Sequence, residues 1–249
     1  MPLVEICVES VGEALAAEAA GADRIELCAA LGTEGGITPS VGLVQVAQTY
    51  LEQVLIYPMV RPRGGDFVYT ASEFESMLGD IAAFRAAGIP GVVAGCLMRD
   101  GTIDLDRMRA IVAAAGGMDV TCHRAFDMTR DPFEALEALI AAGVSRVLTT
   151  GQQARAALAL PLLQNLIRAA RGRIIILVCG DLTPADIDPD GTLAGGYEFH
   201  FGAGKQVDSP MVYRNPAVFM GKDAESSEFT RRVADEQALQ HKIAAAKGL

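Results

Sequence analysis

AAGVSRVLTT (141–150) ends an alanine-rich, helix-like stretch on a glycine and passes at once into a short β-branched run. The same unit recurs as Ala19-Ala20-Gly21 before RIEL, Ala86-Ala87-Gly88 before GVVAG, and Ala114-Ala115-Gly116 before MDVTCH. Glycine just past a helix end takes the left-handed cap without steric cost, and an unbroken apolar strand suits a sheet covered on both faces. Helix, glycine and strand in alternation predict βαβ units and a parallel sheet.

Outward from that unit, eight strands are predicted, at 3–8, 23–28, 54–60, 91–96, 119–124, 146–150, 173–178 and 197–201. Ser10 with Glu13 and Thr70 with Glu73 have capping-box spacing, while Thr38-Pro39, Asp131-Pro132 and Thr183-Pro184 place a cap residue before proline. Pro189 and Gly191 interrupt the helix after the seventh strand, and an amphipathic helix is predicted at 226–246. The count predicts an α/β protein, a single (β/α)₈ TIM-barrel domain over 1–249, with 202–225 an extended loop. An open doubly wound sheet is the alternative, but no GxGxxG follows the first strand, and no nucleotide cofactor is expected.

The chain has 249 residues, 51% apolar and 21% charged, the size of one α/β barrel. Its formal charge of −10 excludes the basic face that nucleic acid or an anionic membrane would want. Five cysteines without a CxxC pair exclude a disulfide framework and a structural zinc site. The start, MPLVEICVES, has no basic region and meets Glu5, so it does not read as a signal peptide, and a cytoplasmic setting is expected.

In such a barrel, chemistry gathers at the C-terminal ends of the strands. Glu5 and Cys7, Glu26 and Cys28, and Glu198 and His200 share strand faces in pairs. Arg61-Pro62-Arg63-Gly64-Gly65-Asp66 follows the third strand, and His123-Arg124-Ala125-Phe126-Asp127 ends the fifth. Glu5, Glu26 and His123 are the candidate acid–base groups, and Arg61, Arg63, Arg124, Asp127 and His200 the candidate anion-binding ones. The blander reading makes such charges a buried ion network closing the barrel mouth. Cys7 and Cys28, taken to lie level on adjacent strands, would suit Cu(I), or else are two small buried hydrophobes. A phosphate site of the common barrel type would use the loops after strands seven and eight, where Asp181 opposes an anion.

The segments GADRIELCAAL (21–31), MVRPRGGDFVY (59–69), TCHRAFD (121–127) and DSPMVYRN (208–215) closely resemble the CutC family, named for copper homeostasis. The likeness runs nearly end to end. It implies a (β/α)₈ barrel, a homodimer, and copper handling in the cytoplasm, with the family's proposed ligands falling on Cys7 and Cys28. The chain departs from the family pattern at Val178-Cys179-Gly180-Asp181-Leu182, at Cys122 and at Gly202. Two functions follow: Cu(I) binding through Cys7 and Cys28, or an enzyme acting on a small anionic metabolite. The arginine cluster is more than a two-thiolate copper site requires.

Overall fold

Gly116 and Gly143 cap their helices with φ of 59° and 83°, the left-handed turn that releases the chain into a strand. The computed structural model describes residues 1–193, 195–215, 217–218 and 228–248, and in it eight strands form a closed ring. The strands are β1 (Val4–Val8), β2 (Arg24–Leu27), β3 (Leu55–Pro58), β4 (Gly91–Ala94), β5 (Asp119–Cys122), β6 (Arg146–Thr149), β7 (Ile175–Cys179) and β8 (Tyr197–Gly202). All pair in parallel with their chain neighbours; β8 pairs back to β1, and β3 meets β4 through the Met59–Val93 bridge. This is the predicted (β/α)₈ barrel.

Helices α1 (Val11–Ala19), α2 (Leu31–Glu34), α3 (Val41–Tyr50), α4 (Ala71–Ala86), α5 (Leu105–Ala115), α6 (Pro132–Ala142), α7 (Leu160–Ala170) and α8 (Pro184–Ile187) fill the connections, and α9 (Glu236–Lys247) closes the chain. The Thr70–Glu73 capping box forms in full, and Asp131 caps α6 ahead of Pro132. Ser40, not Thr38, caps α3, because the Thr38 hydroxyl is exchanged with the Arg61 backbone instead. The interrupted helix after β7 is the single turn α8.

The predicted 202–225 loop and 226–246 helix are corrected. Gly204–Asp208 (β9) and Thr230–Ala234 (β10) form an antiparallel hairpin, and α9 starts only at Glu236, where Asp235 caps it. Residues 216 and 219–227 of those two segments lie outside the described residues. Thr230 and Val233 are β-branched, which suits a strand better than a helix. No helix among the described residues is long and apolar enough to cross a membrane.

The strand alternation decides what the barrel holds. Ile6, Ile25, Leu27, Val92, Val120, Val147, Ile176 and Phe199 belong to the large core shared with the helices, each side chain contributing about 1.5–3 kcal/mol by burial. The alternate positions carry Glu5, Arg24, Glu26, Tyr57, Asp119, Arg146, Glu198 and His200. Among the described residues, the second apolar cluster is small: Cys28, Tyr57, Met59 and Val93. The barrel interior is therefore largely polar, and its charges must pair.

Candidate functional site

The floor of the site is an ion-pair ladder. Arg24, fully buried on β2, donates from Nε to Glu5 of β1 and from Nη2 to Glu198 of β8 at 2.7 Å. Arg146 of β6 bonds Glu198 at 3.1 Å and Asp119 at 2.7 Å, and the Tyr57 hydroxyl donates to Asp119 at 2.6 Å. The Arg24 guanidinium lies 4.9 Å from the Tyr57 ring centre. Gly91 leaves room for that ring, since a Cβ there would stand 2.4 Å from it. Burial alone would raise the Glu5 pKa, but Arg24 and His200 overcome it and hold the carboxyl at about 2. Glu5 is thus a fixed anion rather than a proton carrier.

Above the floor, a cavity of about 120 Å³ is walled by Cys7, Glu26, Met59, Arg61, His123 and His200, among others. His200 donates from Nδ1 to Glu5 Oε1 at 2.6 Å, and its Nε2 stands 3.9 Å from Glu26 Oε2. Burial opposes the His200 charge, but Cys7, Glu5 and Glu26 outweigh it and raise its pKa well above the ordinary value. Glu26 is pushed up to about 7, by burial first and by the Glu5 charge, against the pull of His200. Its Oε1 is buried with no hydrogen-bond partner among the described residues. His123, at the exit of β5, accepts from the Ala125 amide at Nδ1 (3.1 Å), so the neutral ring carries its proton on Nε2. That Nε2 is also buried and unpartnered. Burial and the Arg61 charge hold the His123 pKa down to about 3, so it stays neutral.

The other predicted residues divide. Arg61 lines the cavity, but its Nη atoms donate to the carbonyls of Glu34 (2.6 Å), Gly36 (3.0 Å) and Gly65 (2.8 Å). Arg63 lies outside the cavity, bound to Glu73 and Asp66. Arg124 reaches the mouth, held by Asp127 at 2.9 Å and Thr150 at 3.1 Å. Asp127 itself accepts from the Thr150 and Gln152 amides and so organises the turn after β6.

The levelling of Cys7 with Cys28 is corrected. Cys7 pairs with Glu26 in the register, and Cys28 lies two residues further along, because adjacent barrel strands are staggered. Cys28 is buried and donates to Glu26 Oε2 at 3.6 Å; burial, then Glu26 and Cys7, push its thiol well above the usual range. Among the described residues, the group whose metal-ligating atoms come within 4.8 Å of one another is Glu5, Glu26 and His200, and it contains no cysteine.

Arg24, Arg146, Asp119 and Tyr57 were not among the predicted site residues. The signal for Arg24 was present, since it stands two residues before Glu26 and shares its strand face. The pairing of Asp119 with Arg146 depends on strands meeting across 27 residues and had no local mark.

The model of the CutC family matches residues 2–205. A CutC family protein of Mesorhizobium japonicum is 55% identical over 249 residues, covering 99% of this chain and 95% of its own. One from Bacteroides thetaiotaomicron is 44% identical, covering 98% and 97%. The crystal structure of the copper-homeostasis protein CutC from Streptococcus agalactiae superposes with a TM-score of 0.73 at 29% identity, over 81% of this chain and 98% of that one. A 2,3-dimethylmalate lyase matches with a TM-score of 0.59 at 14% identity, covering 81% and 73%, a likeness of fold.

Proposed function

This chain belongs to the CutC family, and from the chemistry of its barrel mouth we propose that it is an enzyme moving a proton on a small anionic metabolite. Glu26 is the general base and acid: a carboxyl pushed up to about 7 can take and return a proton near neutrality. Neutral His123 donates from Nε2 to the substrate oxygen where charge develops. His200 fixes the Glu26 side of the cavity, and Glu5 holds His200 in place.

One observation carries this reading. A buried acceptor, Glu26 Oε1, and a buried donor, His123 Nε2, are both without a protein partner, and both residues line one cavity. Each such atom costs about 1–3 kcal/mol unsatisfied, a cost that a substrate bound between them would offset. The test is a library of small carbonyl-bearing anionic metabolites, ranked by thermal shift and then followed by proton NMR in D₂O. The reading expects C–H exchange that Glu26→Gln abolishes without losing the thermal shift. No exchange with any stabilising compound overturns it.

Copper homeostasis is the second reading, favoured by the description of the Streptococcus agalactiae relative and by the two thiols, Cys7 and Cys28, that flank Glu26. Cu(I) is then cargo, taken with loss of both thiol protons, at a cost set by the burial of Cys28. The cytoplasmic setting and the homodimer belong to the same reading. Anaerobic titration of reduced protein with Cu(I) decides it: one ion per chain, lost in Cys7→Ser/Cys28→Ser, supports the role, and unchanged stoichiometry ends it.

A further inference from the structure

A second cleft opens immediately outside the first. It measures about 550 Å³ and is lined by Arg124, Arg155 and Lys242, with Gly180, Asp181 and Gly202 at its base. Arg124 and His200 line both cavities, so the inner chamber and the outer cleft adjoin. We propose that the outer cleft is a phosphate subsite, holding the phosphoryl end of a substrate whose reacting end enters the inner chamber; this rests on the enzyme reading above.

Three cations face one carboxylate here, on a chain whose formal charge is −10. The inversion of sign is local and sits where barrel strands seven and eight end, the end at which such folds take phosphate. Each cation contributes differently. Arg124 arrives pre-set, its guanidinium braced by Asp127 and Thr150, so little freedom is lost when it grips an oxygen. Arg155 is exposed and has no ion-pair partner among the described residues. Lys242 of α9 donates to the Gly202 carbonyl at 3.0 Å and pairs with Asp181 at 2.8 Å. Asp181 is the awkward member, yet its side chain is 73% exposed, so it can yield Lys242 to a dianion and turn to water.

Of the arginines that the sequence offers first, Arg63 has its donors committed to backbone carbonyls, Glu73 and Asp66, and Arg61 gives its Nη donors to carbonyls, which leaves only its buried Nε without a partner. The inner chamber is the smaller of the two spaces, about 120 Å³ against about 550 Å³. Gly180, one of the lining residues, turns with φ 144°, a backbone conformation that favours glycine.

The probe is inorganic phosphate, titrated into the full chain by calorimetry and ³¹P NMR at constant ionic strength. Saturable binding is expected, weakened at least tenfold in Arg155→Ala/Lys242→Ala and tightened a few-fold in Asp181→Asn. Arg63→Ala should leave it unchanged. Both double-variant positions are at the surface, and an unchanged circular dichroism melt shows that the fold is intact. No saturable binding, or binding indifferent to Arg155→Ala/Lys242→Ala, overturns the proposal. Glu26→Gln keeps the phosphate affinity, so a failed exchange assay with phosphate binding intact would remove the acid–base reading and leave the subsite standing.

Discussion

Gly95 and His123 occupy the same space. A Cβ on Gly95, just past β4, would stand 2.8 Å from His123 Nδ1 and 3.0 Å from the Ala125 Cβ. The imidazole keeps its place over the cavity only because its neighbour has no side chain. Gly95→Ala should displace the ring, at a cost of about 1–3 kcal/mol for overpacking. Urea unfolding measures the loss, and a shift of the His123 ring resonances should accompany it. A wild-type stability with unmoved resonances would show that the site has slack the packing denies.

The His123 ring should remain neutral far below the usual imidazole range. Burial and Arg61 depress its pKa to about 3, and the Ala125 amide occupies Nδ1. Nitrogen-15 NMR at pH 5 should therefore find a single neutral Nε2–H tautomer for this residue. A charged ring at pH 5 would disqualify it as the neutral donor in the proposed chemistry.

Glu26 leaves a signature in the pH dependence of stability. Its folded pKa, about 7, lies above the ordinary glutamate value of 4.5, so the folded state holds the proton more tightly than the unfolded one. Stability from this group is complete below pH 4.5 and is lost as the pH rises towards 7. Glu26→Gln cannot titrate, so the wild-type minus mutant difference in unfolding free energy should fall across that window and level off above it. His123 acts in the opposite direction, since its depressed pKa costs stability as the pH falls from 6.5 towards 3. Taking the difference between the two proteins cancels that contribution. A flat difference from pH 4.5 to 7 would place the Glu26 proton elsewhere.

The ring of strands could be read along the chain because its marks are local. The glycines after α1, α4, α5 and α6 and the apolar run after each stand within ten residues of one another, and the helices at Thr70 and Asp131 announce their own caps. The direction of a strand residue was also readable, which is why Glu5 with Cys7, Glu26 with Cys28 and Glu198 with His200 were placed on shared faces. What each one touches was not. Register across the barrel placed Glu26, rather than Cys28, beside Cys7. Donor saturation removed Arg63, and left Arg61 with three carbonyls. The hairpin of β9 and β10 replaced part of a predicted helix because its partner strand lies beyond a long connection. Pairing between distant segments is a property of the closed ring, and no window of sequence contains it.

Arg24 is the residue on which the floor depends. It is the shared donor for Glu5 and Glu198, and it has no exposure to water that could replace it. Arg24→Ala would leave two buried carboxylates facing each other across an empty site, a loss of about 3–5 kcal/mol. For a chain of this length that corresponds to about 2–4 °C in melting temperature for each kcal/mol. Glu5 would then lose the larger of the two charges that hold its pKa near 2, and His200 would be its remaining counter-charge. The Glu5 contribution to stability is present above pH 4.5 and lost as the pH falls towards 2, so in Arg24→Ala that acid limb should move to higher pH. Arg24→Met, which fills the volume without the charge, should recover part of the packing but none of the acid limb. If the two substitutions melt together and keep the wild-type acid limb, the ladder is not what sets the charge of Glu5.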